Sequence, residues 1–277
     1  MVRLLNIEFI KLWNNKASKV LIISYFVLLT LISLIAAIKF DIGPIKFHLA
    51  ELGIFNFPYI WHFNSFIAAL FKLFLAVVIV SMMANEYSNK TLKQNLIDGL
   101  SKKEFVLSKF ITVLVFAGVS TIFLFVVSMI LGLAYSDFDE LQIIFSELEY
   151  LLAFFIKLIG FFSFCLFLGI LVKRSAFALG FLILWYIVEQ ISFGLLGWQL
   201  EDWKLAQNIK NFLPLESMSN LVKEPFTRLS AVKNLGNQIG ENFNFDHDVH
   251  WYQILIVLVW TTLFIYWSYA LLKRRDL

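Results

Sequence analysis

Six runs of about twenty apolar residues dominate the 277-residue chain, at about 18–38, 64–84, 110–134, 150–172, 175–197 and 251–272. A helix of that length rises about 30 Å, the thickness of a bilayer's hydrocarbon core. In lipid the backbone must satisfy its own hydrogen bonds, so such runs read as helices. The alternating pattern of a membrane β-barrel is absent. Hydrophobic residues make up 60% of the chain, more than a soluble domain keeps out of water. The expected fold is an all-α integral membrane protein, with residues 1–277 forming a single domain of six transmembrane helices.

The segments between the runs set an orientation. Residues 2–16 read VRLLNIEFIKLWNNK. Val2, Leu5, Phe9, Leu12 and Trp13 fall on one helical stripe, while Arg3, Asn6, Lys11 and Asn14 lie elsewhere, so residues 1–17 are expected to form an amphipathic interfacial helix. Counting Lys19 at the start of the first span, fourteen Lys and Arg lie in the two ends, in 85–109 and in the Lys173–Arg174 turn. The intervening segments hold seven, five of them in the long stretch 198–250. Residues 135–149 carry Asp137, Asp139, Glu140, Glu147 and Glu149 with no Lys or Arg. The bias places both termini and the 85–109 loop in the cytoplasm. In 198–250, Trp198, Leu200, Trp203, Leu205, Ile209, Phe212 and Leu213 predict a short helix on the outer surface, stopped by Pro214. A second is expected over Ser217–Leu235, interrupted at Pro225, with 236–250 as loop.

Three ionisable residues fall inside apolar runs: Lys72, Lys157 and Glu189. Each costs about 2.5–3.5 kcal/mol at a span centre on insertion scales, so each demands a partner or an escape to the interface. Counted from the span ends, all three lie at one depth in the outer half of the membrane. That level permits a Lys–Glu–Lys cluster; the alternative is snorkelling of the two lysines with Glu189 in a wet crevice.

Catalytic signatures are missing. There is no GxxxxGK[ST] to cradle a nucleotide phosphate, and no HExxH or GxSxG. No residue is assigned a catalytic role and no cofactor is expected on this chain. The one cysteine, Cys165, excludes an internal disulfide or a cysteine-based metal site. Asp246, His247, Asp248 and His250 match no tight metal spacing and read as a solvated loop, so no metal site is expected. The net charge of +3 argues for no nucleic-acid partner. Work done across the membrane therefore draws on an ion gradient or a partner protein.

The loop NEYSNKTLKQNLIDGLSKKEFVLSK, 85–109, carries the most information. Asn89–Leu96 suits two helical turns with Ser88 or Asn89 as N-cap. Leu92 and Leu96 stand i,i+4 as an apolar contact face beside Lys90 and Lys93. Asp98–Gly99 suits a turn. Glu86, Thr91, Leu92, Gly99, Ser101, Lys102, Glu104, Phe105 and Lys109 resemble the corresponding motif of ABC-2 type transporter permeases, with Lys102 where Arg is common and Asp98–Gly99 replacing a usual Pro. The interfacial helix, six spans and long segment before the last span are similar too.

The resemblance implies a multi-pass permease subunit of the bacterial cytoplasmic membrane, paired with a second permease copy or homologue and surrounded by membrane lipids. It implies ABC ATPase subunits beneath, which would hold ATP and Mg. It makes the short helix a coupling helix, with Glu86, Lys90, Thr91, Leu92, Lys93, Asn95, Leu96, Ser101 and Lys102 as the partner-binding residues. The expected activity is export of a hydrophobic or amphipathic substrate. Two other readings stay open: a non-transporting scaffold or sensor that docks a cytoplasmic partner, and a gradient-driven carrier using Lys72, Lys157 and Glu189.

Overall fold

The structure, a computed structural model, describes residues 2–38, 40–42, 45–47, 52–229, 232–234, 238 and 245–275. Helices α1 (Val2–Asn14) and α2 (Lys16–Ala37) meet at Asn15, whose side chain caps α2 by accepting from the Ser18 N–H. A small hairpin of β1 (Phe40–Ile42) and β2 (Ile45–Phe47) follows, with Asp41 opposite Lys46. Then come α3 (Tyr59–Leu70), α4 (Lys72–Ser88), α5 (Thr91–Ile97), α6 (Lys102–Tyr135), α7 (Leu141–Ile144), α8 (Glu149–Val172) and α9 (Ser175–Leu200). Two short helices, α10 (Trp203–Lys210) and α11 (Pro214–Asn220), a 3-10 turn at Phe226–Arg228 and the final helix α12 (Trp251–Arg274) complete the described elements.

Among the described residues, five helices are long and apolar enough to cross a membrane, and six if the bent pair α3–α4 is one span. The second apolar run is therefore not one straight helix. It bends by 44° at Phe71, where tight turns replace the helical ladder. The Phe71 N–H bonds to the Ala68 carbonyl and the Phe74 N–H to the Phe71 carbonyl, both at 3.1 Å. At 34 residues, α6 is about 50 Å long, well over the hydrocarbon thickness.

The core is built around α8, which packs against α12, α4, α6, α9 and α3. It is apolar on every side, as a helix wrapped by others must be. Two glycines let its neighbours approach. A Cβ on Gly160 would stand 2.7 Å from Val257 of α12, and one on Gly169 would stand 2.9 Å from the Met83 Cβ of α4. Helices α2 and α9, by contrast, turn Val20, Ile23, Val27, Leu31, Ile183, Val188, Ile191 and Leu195 outward.

Polar contacts place the start of α6, the end of α8 and the end of α12 at one end of the bundle, the end at which α1 packs against α6. Arg275 donates to the Ile170 carbonyl at 2.5 Å and the Leu171 carbonyl at 2.9 Å, closing the end of α8. Lys102, opening α6, donates to the Arg275 carbonyl at 2.9 Å.

The segment after α9 departs from expectation. Of the expected first helix, Trp198 and Leu200 belong to the end of α9, and α10 holds Trp203, Leu205 and Ile209, capped by Asp202, which accepts from the Lys204 and Leu205 N–H groups. Pro214 does not simply stop a helix. It occupies the first turn of α11, where a missing N–H costs nothing. Rather than lying on the surface, α11 dips among α8, α9 and α12, burying Pro214, Ser217 and Met218, with Leu221 and Val222 buried just after it. The expected helix over Ser217–Leu235 thus gives way to α11 and the 3-10 turn, and part of it, with most of the expected 236–250 loop, lies outside the described residues.

Candidate functional site

At the end of the bundle that carries the termini, α5 is a short strut between α4 and α6. Lys90 enters it with a left-handed backbone (φ 56°), and Gly99 leaves it at φ 99°, a conformation that glycine adopts without a Cβ penalty. Ser101 then starts α6 with a reciprocal capping box: its hydroxyl accepts from the Glu104 N–H, and its own N–H donates to the Glu104 carboxylate. The helix begins at Thr91, two residues after the expected Asn89, and Lys90 replaces Ser88 or Asn89 as cap.

Beneath α5 lies a network of four charges, in which Lys109, Glu8 and Glu86 are buried and Lys11 closes the exposed edge. The Lys109 ammonium, fully buried, sits 2.6 Å from Glu8 Oε2 and 2.6 Å from Glu86 Oε1. Lys11 Nζ lies 2.9 Å from the same Glu86 oxygen. The second Glu86 oxygen accepts from the Thr91 hydroxyl at 2.5 Å. Two carboxylates and two ammoniums neutralise one another, so the group tolerates burial that no single member would. The network joins α1, α4, α5 and α6. It borders a cavity of about 340 Å³ lined by α1, the start of α2, the end of α4 and Thr91.

The structure brings some of the expected docking residues inward. Leu92 is 2% exposed and belongs to the bundle's core, and Leu96 packs against that core. The apolar i,i+4 face therefore meets this chain's own helices. Lys90, Lys93 and Gln94 face outward, as does Ile97 at 69% exposure. Asn95 is half-buried, with its carbonyl accepting from the Leu100 N–H at 3.0 Å.

The three in-span charges do not form a Lys–Glu–Lys cluster: no ion pair joins them among the described residues. Glu189 accepts from the backbone N–H groups of Leu215 and Glu216 at 3.0 and 3.1 Å, and from the Trp185 indole at 2.9 Å. Lys157 donates to the carbonyls of Ser219 and Val222 at 3.2 and 3.1 Å. The carboxylate thus caps the N-terminus of α11 and the ammonium its C-terminal end, each matched to the helix's partial charge. Snorkelling is not needed for Lys157. Lys72 takes a third solution, its ammonium 4.4 Å from the Phe161 ring centroid.

The opposite end of the bundle has a polar lock that sequence reading missed. Arg228 grips Glu147 through two bonds of 2.8 and 2.9 Å. His62 stacks on Tyr150 with centroids 4.1 Å apart. One His62 nitrogen bonds the Lys223 carbonyl at 3.0 Å and the other lies 3.2 Å from Arg228, so the ring is a neutral tautomer that donates to the carbonyl and accepts from the guanidinium. These residues are far apart in the chain and belong to no short motif. Glu8 was also missed, although a signal existed: it shares its helix face with Leu5 and Leu12, an acid placed on the side that the apolar stripe buries.

Among the described residues no group of three His, Cys, Asp or Glu side chains is placed to hold a metal, and Asp246 pairs with His250 at 3.0 Å. No curated protein matches the chain. A family model described as ABC-2 family transporter protein matches residues 10–277. With that match over nearly its whole length, and with its set of membrane-length apolar helices, the chain belongs to the ABC-2 transporter family as a permease.

Proposed function

We propose that this permease exports a hydrophobic or amphipathic substrate, driven by separate ABC ATPase subunits that dock on α5. In this reading six spans place α1, α5 and both termini in the cytoplasm of a bacterial cell, α1 lies in the membrane interface with Ile10 and Trp13 toward lipid, and a second permease copy completes the path. ATP and Mg belong to the ATPase.

The observation that carries the proposal is the buried Lys109 network. It locks the base of α5 to three other helices while Lys93, Gln94 and Ile97 stay exposed to a partner. A push on α5 is then delivered to α1, α4 and α6 together, as a rigid element must deliver it. Glu189 and Lys157 support an exporter over an ion carrier, because each is engaged by backbone groups at one end of α11.

Co-purification from the native host tests the docking surface. Ile97→Asp with Lys93→Glu is expected to lose the ATPase while the permease keeps its melting temperature. Retention of the ATPase by this variant would remove α5 from the interface. Leu92→Asp is a poor probe, since it places a charge in the core.

A further inference from the structure

A second cavity, of about 140 Å³, lies at the far end of the bundle between α10, α11 and the first turns of α12. That is far more than the ~10–15 Å³ of probe volume that one water needs. Its polar wall combines four amides, Asn208, Asn211, Asn220 and Gln253, with the hydroxyl-bearing Ser217 and Tyr252, and the Ser217 hydroxyl donates to the Pro214 carbonyl at 2.9 Å. Among the described residues no charged side chain lines it. Asn211 Oδ1 is taken by Gln207 and Asn220, each at 3.0 Å, which leaves the Asn211 N–H groups as donors and Asn220 Oδ1 as an acceptor. Asn208 makes no side-chain bond among the described residues. Gln253 Oε1 is buried with no protein partner. A buried orphan acceptor costs about 1–3 kcal/mol unless something from outside the chain satisfies it.

We propose that this cavity binds a neutral hydroxylated ring, a single sugar unit. An amide wall offers donors and acceptors side by side. A hydroxyl uses both, whereas a phosphate only accepts and an ammonium only donates. With no charge in the wall, an ionic ligand gains nothing to offset its desolvation. Tyr252 and Phe212 add aromatic surface, which suits the C–H face of a sugar ring, and Ile256 completes the lining. The sugar arrives either free or as the headgroup of a glycolipid, and the same amides recognise it in both cases. This site is independent of ATPase docking and is read on the permease alone.

The test uses full-length permease purified in a polyoxyethylene detergent, since alkyl glycosides carry the proposed ligand, then placed in phospholipid nanodiscs. Retention of glucosyl-diacylglycerol is compared with that of phosphatidylglycerol by native mass spectrometry. The expected preference for the glucolipid is about tenfold, and the expected loss is about tenfold in Gln253→Leu and in Asn208→Leu, each of which removes a hydrogen-bonding side chain from the site. Asn208 is exposed, so its replacement leaves the bundle folded. Displacement by methyl glucoside assigns recognition to the sugar itself. Displacement by plain diacylglycerol instead, equal retention of the two lipids, or undiminished binding in both variants overturns the proposal.

Discussion

The ion network beneath α5 and the in-span pair Glu189 and Lys157 solve the same problem in opposite ways. Beneath α5, charges meet charges: Lys109 touches Glu8 and Glu86 directly. Deeper in the bundle the acid and the base never meet, and each finishes one end of α11 instead. The first arrangement fastens four helices by side chains alone. The second uses buried charge to satisfy both ends of a short piece of backbone. Charge at similar cost thus serves assembly in one region and insertion of a non-spanning helix in the other.

The largest effect is expected at Lys109. Lys109→Met leaves two carboxylates with only Lys11 for company, and the loss of stability is expected at about 3–5 kcal/mol. Combining it with Glu8→Gln and Glu86→Gln is expected to recover much of that, since an uncharged set leaves no unpaired ion. Melting curves of the detergent-solubilised protein measure both. A Lys109→Met permease as stable as wild type would break the claim that the network fastens α5.

A charge swap sharpens the other half of the comparison. If Glu189 and Lys157 acted as a pair, Glu189→Lys with Lys157→Glu would restore it. A clamp on α11 predicts the reverse, because the swap sets a cation at the N-terminus and an anion at the C-terminal end. The double variant is expected to be at least as unstable as the worse single one. Glu189→Gln alone is expected to cost about 1–3 kcal/mol, as one N–H donor of α11 loses its acceptor. Rescue by the swap would favour direct pairing.

The smallest effect is expected at the Arg228–Glu147 lock, where both side chains remain partly exposed. Arg228→Lys keeps the charge but loses the two-pronged grip and the contact with His62. A cost of about 1 kcal/mol is expected, shrinking with added salt. A larger, salt-independent loss would place this end nearer in kind to the Lys109 network.

Much of the candidate site was legible, but unevenly. Glu86 and Lys109 stood out because they flank the polar loop at span ends, where charges need partners. The Leu92–Leu96 face was legible as a face; its partner was not, because an i,i+4 stripe looks the same whether it meets another protein or the chain's own core. The depth of Lys157 and Glu189 was countable along the runs. Their partners were not, because these are backbone groups of α11, and every residue has those. The Arg228, Glu147, His62 and Tyr150 lock joins three distant segments and left no spacing to read.

What the sequence determined by itself is the helical state of the apolar runs, since a run of twenty apolar residues in lipid has no other way to satisfy its backbone, although it did not show the bend at Phe71 in the second run. Which of those runs sits at the centre was decided only in three dimensions. Buried α8 and the largely exposed α9 are both strongly apolar, because lipid and protein interior make the same demand on a side chain. Composition cannot tell the two solvents apart. Close contact between spans can: at Gly160 and Gly169 of α8 the helices α12 and α4 come too near for a Cβ, whereas Gly180 and Gly194 of α9 have nothing within 4 Å.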